Sequence, residues 1–75
     1  MFIRSFKNEL GNNIRIKIKS KKESGTNFQS KEKIKFTGVS ISIEGPESVS
    51  ENIITRQEAE ELYLTLDKFL FENKS

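Results

Sequence analysis

The side chains that catalyse most enzymatic reactions are missing from this chain of 75 residues. It contains no cysteine, no histidine and no tryptophan. Thiol nucleophiles, histidine general bases and Cys/His zinc sites are therefore excluded. An active site would have to use carboxylates, lysines, hydroxyls or the single tyrosine, Tyr63. We expect a non-enzymatic protein that uses no cofactor and no small-molecule substrate.

The densest group of carboxylates is formed by Glu58, Glu60 and Glu61. Neighbouring carboxylates can serve acid–base chemistry or bind a divalent cation. These three fall in the first turns of a predicted helix, where the helix dipole favours negative charge. That placement explains them without a ligand, so we assign them no metal site and no catalytic role. The four glycines form no phosphate-binding pattern either.

Basic residues are concentrated in the first half of the chain. Residues 1–38 carry ten lysines and arginines against three glutamates, a balance of +7, and residues 39–75 carry three against eight acids, a balance of −5. Clustered lysines can match a row of phosphates, but they lack the planar fork with which arginine reads guanine. The cations therefore form either a solvated face or a surface for an acidic partner or nucleic acid, with low sequence specificity. The candidates are Arg15, Lys17, Lys19, Lys21, Lys22, Lys31, Lys33 and Lys35.

Alternating apolar and charged residues predict the strands that must position these cations. In residues 14–20 three isoleucines alternate with three cations, which puts the isoleucines on one face and the cations on the other. Residues 2–7 predict a first strand, joined to this one by an Asn- and Gly-rich turn over 8–13. The alternation in 32–44 changes phase at Thr37-Gly38. This fits a two-residue hairpin or, as the poor turn chemistry of Thr-Gly favours, one long strand with a bulge near Gly38.

Either alternative keeps the apolar residues of 32–44 on one face and puts Lys33 and Lys35 beside the cations of 14–20. The intervening residues 20–32 are polar apart from Phe28, which predicts a long mobile loop. Among lysines, Phe28 can stack on a base, anchor a protein contact or fold back onto the sheet edge.

Residues 56–72 predict a C-terminal helix. Thr55 is a suitable N-cap, and Glu58 completes a capping box. The apolar residues from Ala59 to Leu70 recur at helical spacing and form one stripe, which we predict to cover one face of the sheet. The predicted core contains Phe2, Phe6, Ile14, Ile16, Ile18, Ile34, Phe36, Val39, Ile41, Ile43, Ala59, Leu62, Tyr63, Leu66, Phe69 and Leu70.

These elements predict a single small α+β domain over residues 1–75. It consists of an antiparallel sheet of three or four strands with one C-terminal helix packed on one face, in the order β-β-β-(β)-α. Residues 47–54 are either a loop or a short edge strand, which leaves the number of strands open. No apolar run exceeds three residues, too short for a membrane helix or a signal peptide. We therefore expect a cytoplasmic protein without membrane contact.

Two large apolar residues are predicted to lie outside the helical stripe. Leu64 and Phe71 share a helix face about 130° from the stripe, together with Glu60 and Asp67. Exposed apolar groups on one helix indicate a contact surface, and a symmetric dimer would bury both copies. Alternatively, residues 47–54 or the N-terminal strand cover them.

In length and composition the chain resembles small accessory proteins of phages and mobile elements in low-GC bacteria. It has nine Ile, ten Lys, six Asn and one Ala. The resemblance covers no motif, and it implies an accessory or regulatory protein that binds a host or phage protein. We predict a small binding module that acts through protein–protein contacts, by self-association or by docking of a partner on the outer face of the helix. Its contact candidates are Leu64, Phe71, Glu60, Asp67 and Phe28; the alternative is nucleic-acid binding by the lysine-bearing sheet face.

Overall fold

A computed structural model describes residues 1–73 as four strands followed by one helix. The elements are β1 (Phe2–Lys7), β2 (Asn13–Asn27), β3 (Glu32–Glu44), β4 (Val49–Ile54) and α1 (Arg56–Glu72). The strands form one antiparallel sheet in the order β1-β2-β3-β4, so each strand pairs with its neighbour in the sequence. This arrangement confirms the predicted α+β class and settles the number of strands at four.

The turn between β1 and β2 is closed by the side chain of Asn8. Its amide oxygen accepts hydrogen bonds from the backbone N–H groups of Leu10 and Asn12, both at 3.0 Å. Gly11 has a φ of +83°, a conformation that is accessible to glycine without steric cost. The Asn- and Gly-rich segment therefore forms a turn, as its composition predicts.

Residues 20–32 are not the loop that their polarity predicts. Residues 20–27 complete β2, and only the turn 28–31 separates them from the start of β3. The side chain of Asn27 holds this turn by accepting hydrogen bonds from the backbone N–H groups of Gln29 at 2.9 Å and Ser30 at 3.2 Å. Lys31 adopts the left-handed conformation with a φ of 63°. Backbone pairing across the hairpin thus forms strands from residues with little hydrophobicity, because strand formation depends on context more than on intrinsic preference.

The pairing of β2 with β3 is unbroken over the whole of β3. This register contradicts both the predicted bulge near Gly38 and the predicted hairpin at Thr37-Gly38. Without a change of phase, alternate residues stay on alternate faces of a strand. Ile34 and Phe36 therefore lie on the face opposite to Ile41, and the prediction that they share one face is wrong.

The register gives the sheet two chemically different faces. On one of them Phe2, Ile18 and Ile41 lie side by side across three strands. We call this side the isoleucine face; its apolar members are Phe2, Phe6, Ile14, Ile16, Ile18, Val39, Ile41, Ile43 and Ile54. We call the other side the serine face; in the four-stranded part it carries Arg15, Lys17, Lys19, Ser40, Ser42, Glu44 and Glu51.

Helix α1 begins and ends where the sequence predicts. The N–H of Thr55 donates to the Glu58 carboxylate at 2.9 Å, and the N–H of Glu58 donates to the Thr55 hydroxyl at 3.1 Å. The capping box is therefore confirmed. At the other end, the side-chain amide of Asn73 donates to the carbonyl oxygen of Phe69 at 2.9 Å. Within residues 1–73, no helix has the length and apolar character needed to span a membrane.

The helix does not cover the isoleucine face. It meets the sheet mainly at β3, and its large apolar side chains from Leu62 to Phe71 are all exposed. Among the described residues no apolar side chain is buried, and the buried polar ones are Ser40 and Ser42. The predicted core is therefore wrong for the isolated chain. Most of its strand residues share a face, and α1 meets that face at one end, where Ala59 and Tyr63 line a hollow with Ser20 and Val39.

The surface area and dimensions of the chain agree with this open arrangement. It exposes 6914 Å², whereas a folded monomer of its mass is expected to expose about 4,700 Å². Its radius of gyration is 15.3 Å, against about 11 Å for a compact domain of this length. The excess of roughly 2,200 Å² over a compact monomer comes from surface that the chain alone leaves open to water.

Candidate functional site

The isoleucine face is an apolar surface made by β1, β2 and β3 and extended by Ile54 of β4, which otherwise places Ser50 and Asn52 on this face. Ile16 and Ile41 at its centre are half-buried by their neighbours, whereas Ile43 is 46% and Phe2 80% exposed. Arg4 is the charged residue that the register of β1 places on this face. Contiguous apolar surface of this kind marks a place where another protein surface packs.

The helix adds further exposed apolar side chains. The predicted stripe of Leu62, Leu66, Phe69 and Leu70 is exposed, and so are the outer-face candidates. The prediction that the sheet covers the stripe while the outer face stays exposed is therefore wrong for the isolated chain, because both are exposed. The outer-face candidates named from the sequence are Leu64, Phe71, Glu60 and Asp67, and all four are exposed.

Charges on the serine face are paired rather than uniformly positive. The Lys17 ammonium lies 2.9 Å from the Glu44 carboxylate, and the Lys21 ammonium lies 4.0 Å from the Glu51 carboxylate. The hydrogen bond from Lys17 lowers the pKa of Glu44 below its ordinary value. A hollow of about 180 Å³ lies over Ser40 between these long side chains. This face is therefore a mixed-charge surface, which gives no preference to an acidic partner.

The predicted basic face is divided between the two sides of the sheet. Because β3 has no change of phase, Lys33 and Lys35 lie on the side of the isoleucine face, together with Lys22. Lys31 lies in the turn 28–31. The remaining candidates, Arg15, Lys17, Lys19 and Lys21, lie on the side of the serine face. The structure thus does not bring the eight cations together on one surface.

Beyond the rest of the sheet, β2 and β3 continue alone as a two-stranded ribbon of residues 21–38. β1 pairs with β2 only as far as Ile18, and β4 pairs with β3 only from Val39 onward. An antiparallel strand rises about 3.4 Å per residue, so this arm projects roughly 27 Å beyond the rest of the sheet. Phe28 lies in its terminal turn and is 81% exposed, so it does not fold back onto the sheet edge.

One side of the ribbon carries a regular row of lysines and hydroxyls. Each of three successive rungs places a lysine opposite a serine or threonine; we call this row the lysine ladder. Its rungs are Lys22 with Thr37, Ser24 with Lys35, and Thr26 with Lys33. All six residues are exposed, and the register places no carboxylate between them on this side. The ion pairs found within residues 1–73 involve none of its lysines.

The acidic residues at the start of α1 have structural roles. The backbone N–H of Thr55, followed by its hydroxyl group, lowers the pKa of Glu58. Glu60 lies 3.6 Å from the Arg56 guanidinium in an exposed ion pair one helical turn apart. Within residues 1–73, no cluster of carboxylates is arranged to hold a metal ion. These contacts explain the acidic cluster by helix capping, as its position in the sequence indicates.

Two surfaces therefore qualify as functional sites, the isoleucine face with α1 and the lysine ladder. Sequence reasoning found their apolar and basic residues, but it missed the hydroxyl partners Ser24, Thr26 and Thr37. The signal that identifies these partners is the alternation of lysine with hydroxyl residues once 21–38 is read as one hairpin. Comparisons with protein families, curated proteins and solved structures gave no match to this chain.

Proposed function

We propose that this chain is a non-enzymatic binding module that acts through protein–protein contacts, with the isoleucine face as its main contact surface. The observation that carries the proposal is an apolar face on β1, β2 and β3, extended by Ile54 of β4, which α1 meets at one end and which is otherwise open among the described residues. Exposing such a surface to water costs about 25 cal/mol of free energy per Å² of apolar area. A partner that covers the face supplies the packing that a single chain lacks.

The partner that we propose first is a second copy of the chain. Each copy exposes roughly 2,200 Å² more than a compact monomer of its mass. Two copies that buried this excess would remove about 4,400 Å² in total, within the range of about 2,000–5,000 Å² typical of obligate homodimers. The area in question is therefore of the size that a stable two-fold interface requires.

The distribution of charge also favours contact between the helix of one copy and the strands of the other. Helix α1 carries five acids and two cations, a balance of −3, whereas the strands place Arg4, Lys22, Lys33 and Lys35 and no carboxylate on the side of the isoleucine face. In a two-fold dimer each copy contributes the same patch, so the acidic helix and the basic strands would meet twice. Complementary potentials of this kind speed association and fix its orientation.

A matched pair of substitutions in β3 tests the proposal. Ile43 lies on the isoleucine face and is 46% exposed, whereas Ile34 lies on the opposite side and is 49% exposed. We expect the wild-type chain to sediment as a dimer in analytical ultracentrifugation. Burial of an isoleucine is worth about 1.5–3 kcal/mol and two copies are lost, so Ile43→Glu should weaken the dimer at least about 100-fold.

The control Ile34→Glu introduces the same charge and should leave the dimer intact. Equal weakening by both variants would contradict a specific interface on the isoleucine face. A wild-type chain that stays monomeric and folded over about a hundredfold range of concentration would exclude the second copy as the partner.

The proposal includes a cytoplasmic location, for which the support is the short apolar runs of the sequence; fractionation of expressing cells checks it.

A further inference from the structure

The lysine ladder has a composition that the contact surface proposed above does not explain. It lies beyond Val39, where the apolar residues of the isoleucine face end, and it consists of three lysines and three hydroxyl residues. Its rungs follow one another at about 7 Å along the ribbon, a spacing close to that of successive phosphates along one nucleic-acid strand. Lysines and hydroxyls are among the side chains that most often contact phosphate oxygens.

We propose that the lysine ladder binds the phosphate backbone of duplex DNA. Each rung presents one ammonium group and one hydroxyl group, and both can donate a hydrogen bond to a phosphate oxygen. At the inner rung, Glu60 of α1 lines a hollow together with Thr37. The register places no carboxylate beside the two outer rungs, and the ion pairs found within residues 1–73 involve no lysine of the ladder.

The composition of the ladder favours a duplex over a single strand. Proteins that bind single strands present aromatic side chains on which the bases stack, and the ladder contains none. The shape of the ribbon also suits a duplex, because the major groove admits a two-stranded β-ribbon. The ladder lacks arginine, asparagine and glutamine, the residues that most often read base edges. The binding is therefore insensitive to sequence.

The serine face gives a useful contrast within the same molecule. Its cations Lys17 and Lys21 lie next to the carboxylates of Glu44 and Glu51. A phosphate approaching that face meets both signs of charge. The ladder thus differs from Lys17 and Lys21, because the ion pairs found within residues 1–73 involve none of its lysines.

The test compares two triple variants that lose the same charge. One removes the cations of the ladder (Lys22→Gln, Lys33→Gln and Lys35→Gln), and the control removes three cations outside the ribbon (Lys7→Gln, Arg15→Gln and Lys68→Gln). Binding is measured by the fluorescence anisotropy of a labelled mixed-sequence DNA duplex, with circular dichroism as the check on folding. Both variants carry the same net charge, so any difference between them reports the position of the charges.

We expect the ladder variant to lose at least about tenfold in affinity and the control less than about threefold. Neutralising three phosphates predicts that wild-type affinity falls about 40-fold when salt rises from about 50 to about 200 mM. Ser24→Ala with Thr37→Val should weaken binding further without changing this salt dependence. Equal losses in both triple variants, or preference for a single strand of the same sequence over the duplex, would overturn the inference. So would the absence of binding at low salt.

Discussion

The aromatic ring of Phe36 lies where a side chain on Gly38 would have to be placed. A β-carbon built on Gly38 would come within 2.7 Å of the ring and within 2.5 Å of the carbonyl oxygen of Ile54. The same ring lies 3.3 Å from the corresponding position on Gly25, across the ribbon. Phe36 therefore covers two glycines on adjacent strands, at the junction between the ribbon and the four-stranded part of the sheet.

Substitution of Gly38 should therefore destabilise the sheet. Gly38→Ala forces a shift of the Ile54 backbone as well as of the Phe36 ring, and overpacking of this kind costs about 1–3 kcal/mol. Gly25→Ala meets only a side chain at 3.3 Å, so it serves as the control and should change stability by less than about 0.5 kcal/mol. Urea unfolding measures both. An equal effect of the two variants would contradict the close approach at Gly38.

Loss of the helix cap should destabilise α1. Thr55→Ala removes the hydroxyl that accepts the Glu58 N–H hydrogen bond, and substitutions of this kind cost about 0.5–2 kcal/mol. Thr55→Ser keeps a hydroxyl at the same position and should retain most of the stability. The free energy of unfolding in urea and the helical signal in circular dichroism check the prediction. If both variants unfold alike, the capping box does not hold the helix.

Acid should destabilise the fold through Glu44 and Glu58. The hydrogen bond from Lys17 lowers the pKa of Glu44, and the contacts with Thr55 lower that of Glu58. Because each folded-state pKa lies below the unfolded value of about 4.3, this stabilisation is complete above that value. It is lost as the pH falls through the folded-state pKa.

We therefore expect the thermal midpoint to fall between about pH 6 and about pH 3. In Glu44→Gln the fall should be shallower than in the wild type. Glu9→Gln, a change in the turn between β1 and β2, should follow the wild-type curve. A Glu44→Gln curve parallel to the wild type would mean that the ion pair with Lys17 does not contribute.

Two leucines on different sides of α1 distinguish which helix face takes part in self-association. Leu66 belongs to the apolar stripe and is 49% exposed, whereas Leu64 lies on the outer face and is 57% exposed. Because the stripe is the wider apolar surface, Leu66→Glu should weaken the dimer by at least about tenfold, and Leu64→Glu should leave it unchanged. Sedimentation of both variants checks this. The reverse result would assign the interface to the outer face with Phe71.

Local signals in the sequence were sufficient to predict the helix, β1 and the start of β2. Thr55 and Glu58 fix the helix start through hydrogen bonds three residues apart, which any chain with this pattern can form. The alternation around Ile16 likewise identified the apolar face of β2. The pairing of β1 with β2 followed, because a short Asn- and Gly-rich turn leaves few alternatives.

The phase of β3 could not be predicted from the alternation, because the apolar residues of this strand do not all lie on one face of the sheet. Phe36 instead packs over Gly25 and Gly38 on the other side of the sheet. Because Gly25 belongs to β2, this packing can be predicted only once the partner strand is known. The exposure of the isoleucine face could not be predicted from the pattern either, since burial depends on what packs against a face. The lysine ladder likewise depends on the pairing of β2 with β3, which places Lys35 opposite Ser24.

The order of the strands has a consequence for the rate of folding. Since every strand pairs with its sequence neighbour, the contacts are local, and chains with local contacts fold quickly. Hairpins form in about 1–10 μs, so the sheet is expected to assemble long before two chains can meet at ordinary concentrations. The slow kinetic phase should then be second order, with a half-time that halves when the protein concentration doubles.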